Sequence, residues 1–323
     1  MEPIIQTLLK SEEPSIRYLA STRILGCSPN SEEMSTLRTS IAGSSRVREL
    51  LAERNPVGKI PYGAYSKWDG VHWVLNMLAD LGYPQGDEAL MPLAEQVYEW
   101  LFSEAHIKRI KRVTIAGRVR MCASMEGNAI YYLLELGLAD DRVDVLIDRL
   151  LAWQWPDGGW NCDKHPEAQL TSSFMESLIP LRGLAAYVKH TGNPKARQVV
   201  EEAAEIFLKR RLFKRQRDGR VIEPSFITLH YPCYWHYDIL FGLKVMTEAG
   251  FIRDNRCTDA LDLLESKRLT DGGFPAEKRF YRVSNGATSG RSLINWGGTS
   301  VKRMNPFVTL DALSVLKAAG RLD

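Results

Sequence analysis

The sequence predicts an all-α protein folded as a single α/α toroid, two concentric rings of helices holding about five to six helix pairs. Three observations carry this expectation. Apolar residues recur at three- and four-residue steps along most of the chain, alternating Val/Ile/Thr runs bounded by turn residues barely occur, and one helix-pair plan repeats through the 323 residues.

Taken in order, residues 1–50 are read as helices packing on the outside of a ring domain that spans 51–323. Within that domain five segments share a plan: a Gly- or Pro-containing loop, a polar and aromatic cluster, then an apolar helix ending near glycine. They are 67–82, 123–137, 171–184, 231–250 and 304–320. Phe174, Leu178, Leu181, Ala185 and Val188 lie on one helical face. So do Trp235, Ile239, Gly242 and Met246, and likewise Phe307, Leu310, Leu313 and Leu316. Between them fall the more polar helices 88–103, 142–153, 195–211 and 258–267. Apolar helices suit an inner ring and polar ones an outer ring. Parallel inner helices would gather their N-termini at one mouth, where a catalytic site is expected.

Composition excludes several classes. A net charge of +3, with 45% hydrophobic and 25% charged residues, fits a globular chain and not a disordered or collagen-like one. No recognition motif points to nucleic acid. MEPIIQTLLKSEEP lacks the basic and apolar regions of a leader, and the apolar run 129–139 is too short to span a bilayer and is broken by Glu135. Five scattered cysteines without a CxxC suit reduced thiols and a cytoplasmic location.

Several constellations at the expected mouth can carry chemistry. LHYPCYWHYD holds His230, Cys233, His236 and Asp238 among Tyr231, Tyr234, Trp235 and Tyr237; WNCDKH holds Cys162, Asp163 and His165. A thiolate with imidazoles from adjacent loops suits tetrahedral zinc, so Cys162, His230 and His236 are the expected metal ligands. His72, Glu126, Asp163, Glu176, His236 and Asp238 are the candidate acids and bases. The alternatives are plain: His72 as a wall residue, and Ser172 or Ser173 with Glu176 as a capping box.

Trp68, Trp160, Tyr231, Tyr234, Trp235 and Trp296 form a candidate aromatic binding wall, with Arg118, Arg120 and Arg291 as candidate anion contacts. Arg291 lies in a Gly/Ser-rich stretch, 284–300, read as a lid. Basic clusters at 108–120 and 209–220 could meet a diphosphate or an anionic membrane surface. The DDxxD string at Asp140, Asp141 and Asp144 opens an outer helix and is read as its cap.

Gln154 to Trp160 read QWPDGGW, with a degenerate copy, TDGGF, at 270–274. This QW motif resembles the QxxxGxW repeat of squalene–hopene and oxidosqualene cyclases. Over roughly residues 50–320 the chain resembles the α/α toroids of class II terpene cyclases and protein prenyltransferase β-subunits. The resemblance implies that Gln154 and Trp160 staple helix ends. It further implies an enzyme acting on an apolar or isoprenoid-like substrate in a central cavity. The class II DxDD acid is missing, and Asn161-Cys162-Asp163 does not match the prenyltransferase zinc order. Two other readings stay open: a zinc-dependent hydrolase or lyase on a small polar substrate, and a non-catalytic lipid or peptide binder.

Overall fold

The computed structural model describes residues 2–115, 117–165, 171–284 and 289–322. Among them are fourteen α-helices: α1 (Pro3–Leu9), α2 (Pro14–Arg23), α3 (Glu32–Ile41), α4 (Ser45–Leu51), α5 (Val71–Asp80), α6 (Met91–Leu101), α7 (Glu104–Arg112), α8 (Ser124–Glu135), α9 (Arg142–Trp153), α10 (Phe174–Thr191), α11 (Pro194–Leu208), α12 (Ile239–Glu248), α13 (Thr258–Glu265) and α14 (Pro306–Ala318). A hairpin of β1 (Thr114–Ile115) and β2 (Arg118–Val119) follows α7.

The expected alternation is present and closes into a toroid. Around the inside, α5 packs on α8, α8 on α10, α10 on α12, α12 on α14, and α14 on α2. Gly82, just past α5, completes the circle against Tyr18 and Leu19 of α2. On the outside, α6 backs α5 and α8, while α9, α11 and α13 back α8, α10 and α12. Each outer helix turns a stripe such as Val143, Leu146, Ile147 and Leu150 inward, whereas α5 is buried all round from Val71 to Ala79. α2 thus sits between α14 and the end of α5.

α8 and α10 approach most closely, through paired glycines. A Cβ at Gly183 would stand 2.3 Å from the Gly127 carbonyl oxygen, and one at Gly127 would stand 2.7 Å from the Pro180 backbone. Only glycine lets these helices meet at that height.

The QW segment and its degenerate copy make the same turn. Trp155 N–H donates to Gly159 O (2.7 Å) and Gly158 N–H to Trp155 O (2.9 Å); Leu269 N–H donates to Gly273 O (2.9 Å) and Gly272 N–H to Leu269 O (2.9 Å). The residue after each turn donates to a hydroxyl on the next inner helix, Trp160 to Ser177 at 3.0 Å and Phe274 to Thr309 at 2.9 Å. Gly158, at φ +100°, would drive a Cβ to 2.6 Å from Glu202 O.

Two local differences from the sequence reading have physical causes. α12 begins at Ile239 rather than near 231, because Pro232 has no donor and Asp238 caps the helix by accepting from Phe241 N–H at 2.8 Å. The basic run at 108–112 lies on α7, an extra outer helix capped by Ser103.

Candidate active site: a charged cavity inside the ring

A cavity of about 310 Å3 opens among the C-terminal halves of the inner helices, at the opposite end of the ring from the expected mouth. Arg23 ends α2, Tyr131 and Glu135 lie late on α8, Arg182 and Lys189 on α10, Lys244 and Glu248 on α12, and Asp311 on α14. Ala185, Ala186, Val315 and Ala318 supply the apolar surface.

The charges form one network. The Arg182 guanidinium, its side chain only 1% exposed, donates to Asp80 Oδ1 at 2.7 Å and to both oxygens of Glu248 at 2.7 and 2.9 Å. It also donates to the Tyr131 hydroxyl (2.7 Å) and lies 3.6 Å over that ring. Lys244 Nζ reaches Asp311 at 3.0 Å and Asp80 at 3.8 Å, and Arg23 reaches Asp311 at 3.7 Å. Burial alone would raise the Asp80 carboxyl, but Arg182 and Lys244 outweigh it and hold it at about 2. Burial pushes the Tyr131 hydroxyl well above its ordinary range, with Arg182 opposing, so it stays a proton donor. At the rim, Glu135 and Lys189 make no ion pair among the described residues. Beneath the network, Lys244 and Asp311 also border a void of about 10 Å3 that reaches His230 and Cys233.

At the N-terminal ends the structure puts a packed aromatic layer where the sequence suggested an entrance. Trp68 stacks on Tyr234 (4.0 Å between ring centres), Tyr231 on Phe307 (4.7 Å), and His236 lies between Trp235 (4.1 Å) and Phe280 (3.7 Å). The Trp296 indole donates to Ser292 Oγ at 3.0 Å. The Trp160 indole donates to the Leu150 carbonyl at the end of α9 (3.0 Å), which is the staple role. Arg118 and Arg120 lie over Trp155, and Arg120 donates to Asp163 O at 2.6 Å. Arg291 and Trp68 do share a surface pocket, about 230 Å3, with Asp69 and Ile294. Of the stretch 284–300, residues 285–288 lie outside the described residues.

The candidate acids and bases are held in structural pairings. His72 is enclosed by rings, meets Tyr132 Oη at 3.1 Å, and is pushed down to about 3 by burial. Burial with His230 nearby puts His236 at about 3 as well. Neither imidazole is charged near neutral pH. Glu126 is fully buried against His106 (2.9 Å) and Arg149 (3.6 Å). Asp163 accepts from His165 N–H at 2.9 Å, and Asp238 accepts from the His230 backbone N–H (2.9 Å) while facing its Nδ1 at 2.8 Å.

Glu176 receives Ser173's cap at its own N–H (3.5 Å), but its carboxylate reaches the Ser124 N–H on α8 at 3.1 Å. The three expected zinc ligands are not brought together. Cys162 faces Cys122 and Glu176, while His230 faces Cys233 and Asp238, and His236, its ring 6.0 Å from that of His230, belongs to neither cluster. The adjacency of Cys162 and Cys122 depends on how α8 meets α10, which no local spacing reveals. In the DDxxD string, Asp140 pairs with Arg142 (2.7 Å) and Asp144 accepts from Tyr187 (2.6 Å).

Sequence reasoning missed Arg23, Asp80, Arg182, Lys244, Glu248 and Asp311. A signal existed: each apolar inner helix carries a charged or phenolic residue in its second or third turn, as in VLNMLAD, IPLRGL, FGLKVM and VTLDAL. A charge inside an apolar stripe requires a partner.

No family model matches the chain, and no curated protein does. Among solved structures it is similar to a polysaccharide lyase (11% identity, 98% of this chain and 95% of that one, TM-score 0.50). It is also similar to a glycosyl hydrolase of family 88 from Bacteroides vulgatus (11%, 98% and 97%, 0.48). A type II terpene cyclase from Scytonema, in complex with geranylgeranyl dihydroxybenzoate, aligns at 15% identity over 88% of this chain and 98% of that one, with a TM-score of 0.33. At these identities the likeness establishes the toroid fold alone.

The terpene cyclase or prenyltransferase expectation is overturned. The cavity presents guanidinium, ammonium and carboxylate groups where an isoprenoid or lipid would need an apolar wall. Trp68, Tyr231, Tyr234, Trp235 and Trp296 of the expected binding wall are instead held in ring contacts at the other end. No helix among the described residues is long and apolar enough to cross a membrane.

Proposed function

We propose that this chain is a hydrolase or lyase acting on a small polar, sugar-like substrate held in the charged cavity. One observation carries the reading: a space of about 310 Å3, of monosaccharide scale, is bordered by cations and carboxylates on five inner helices. Fixed charges of both signs suit a ligand dense in hydroxyls or bearing a carboxylate. Arg182 orients Glu248, whose side chain is 27% exposed and faces the cavity as the candidate base. Tyr131 donates a proton or hydrogen bond, and Lys189 and Arg23 pair with an anionic substituent. The polysaccharide lyase with the same fold is consistent with this substrate class.

The test is incubation of the full chain with a panel of neutral and uronate-containing oligosaccharides, with products read by mass spectrometry. Turnover of at least one member, abolished in Glu248→Gln, is expected. Activity unchanged in Glu248→Gln and in Arg182→Met, or turnover confined to prenyl diphosphates, would overturn the reading.

A further inference from the structure

A second chemistry-bearing cluster lies outside the cavity. Cys122 precedes α8, Cys162 follows the QW turn, and Glu176 sits in the first turn of α10. One ligand atom from each lies within 4.8 Å of the other two. We propose that Cys122, Cys162 and Glu176 form a zinc-type metal site with two thiolates, one carboxylate and an open fourth position.

One of the three ligand separations already matches a metal-bound pair. Zinc–sulfur and zinc–oxygen bonds of about 2.3 and 2.0 Å at a tetrahedral angle separate sulfur from oxygen by about 3.5 Å. Cys162 Sγ lies 3.5 Å from Glu176 Oε1. The other carboxylate oxygen is held by the Ser124 N–H at 3.1 Å, the outer contact that orients a ligating carboxylate. Both cysteines are only half-buried, so an ion and an exogenous fourth ligand can reach them. The framework is rigid: α8 and α10 are locked at their glycine contact, and the Trp160 N–H and indole fix the segment before Cys162. Binding breaks two S–H bonds, forms two sulfur–metal bonds and releases both protons to the buffer.

The other described cluster, His230, Cys233 and Asp238, is a poorer site. The Asp238 oxygens are already occupied by the Phe241 and His230 backbone N–H groups. It serves as the internal control.

The test is titration of the reduced full-length protein with Co2+, followed by displacement with Zn2+. The expected result is a thiolate-to-cobalt charge-transfer band saturating at about one ion per chain, bleached by zinc. The band should be lost in Cys122→Ser and Cys162→Ser, blue-shifted or weakened in Glu176→Gln, and unchanged in Cys233→Ser. If a cysteine variant fails to fold, alkylation of the wild-type protein decides, since Zn2+ should shield Cys122 and Cys162 selectively in peptide mapping. No band and no shielding, a band surviving in Cys162→Ser, or a band lost in Cys233→Ser would overturn the assignment.

Discussion

Arg182 on α10 reaches Asp80 on α5 at 2.7 Å, across the ring and past α8, which lies between those helices. This pair ties two inner helices that are not adjacent in the ring, and Lys244, Asp311 and Glu248 extend the tie to α12 and α14. Such a network adds little net stability over an apolar core, but it penalises any arrangement that strands one charge.

Arg182→Met therefore leaves Asp80 and Glu248 without their main cation, and a loss of about 3–5 kcal/mol is expected. Adding Asp80→Leu should recover part of that loss. Urea denaturation of the single and double variants checks both, and a near-neutral Arg182→Met would show that the network does not hold the ring.

Acid should destabilise the fold earlier than carboxylates alone would dictate. His72 titrates at about 3 when folded against 6.5 when unfolded. Its contribution is complete above 6.5 and is lost as pH falls toward 3, because only the unfolded chain takes the proton. The limiting slope is about 1.4 kcal/mol per pH unit. Asp80, lowered from 3.8 to about 2, adds a further loss in the same direction below about pH 4. Unfolding free energies at pH 7, 6 and 5 should fall for the wild type and fall less steeply for His72→Gln; parallel curves would contradict the argument.

Gly183→Ala places a methyl group 2.3 Å from the Gly127 carbonyl oxygen. α8 and α10 must separate, at a cost of about 3 kcal/mol. The same separation should open the cavity wall, so thermal unfolding and ligand protection are both expected to drop. Gly192→Ala meets nothing within 4 Å but carries a φ of +69°, and its smaller cost would isolate the packing effect.

Rim and network residues should separate stability from binding. Lys189 and Glu135 line the cavity without an ion pair among the described residues, so Lys189→Ala and Glu135→Ala are expected to change stability by no more than about 0.5 kcal/mol. Ligand-induced thermal shifts with uronates should shrink clearly in Lys189→Ala. An unchanged shift would place the ligand elsewhere.

Local patterns were enough to read the helices. The apolar runs around Phe174, Ile239 and Phe307 mark helices buried nearly all round, and the one-sided stripe of α9 marks an outer helix; both are local properties. The turns at Gly158 and Gly272 are set by glycine conformation within five residues, so the QW copies announced their own geometry. The charges in VLNMLAD and VTLDAL were equally visible, but their meaning was not.

Which end of the ring is open depends on whether loops far apart in sequence fill the space above the inner helices. Trp68, Tyr234, His236 and Phe280 fill one end by stacking across more than 160 positions of chain, while the alanines of α10 and the end of α14 leave the other end free. The partner of each side chain was decided the same way. Cys162 stands in a polar loop in either reading, yet it meets Cys122 and Glu176 rather than His236, because the close α8–α10 approach brings those three atoms to one point. Periodicity sets the faces of single helices, and only long-range packing selects which faces and loops converge.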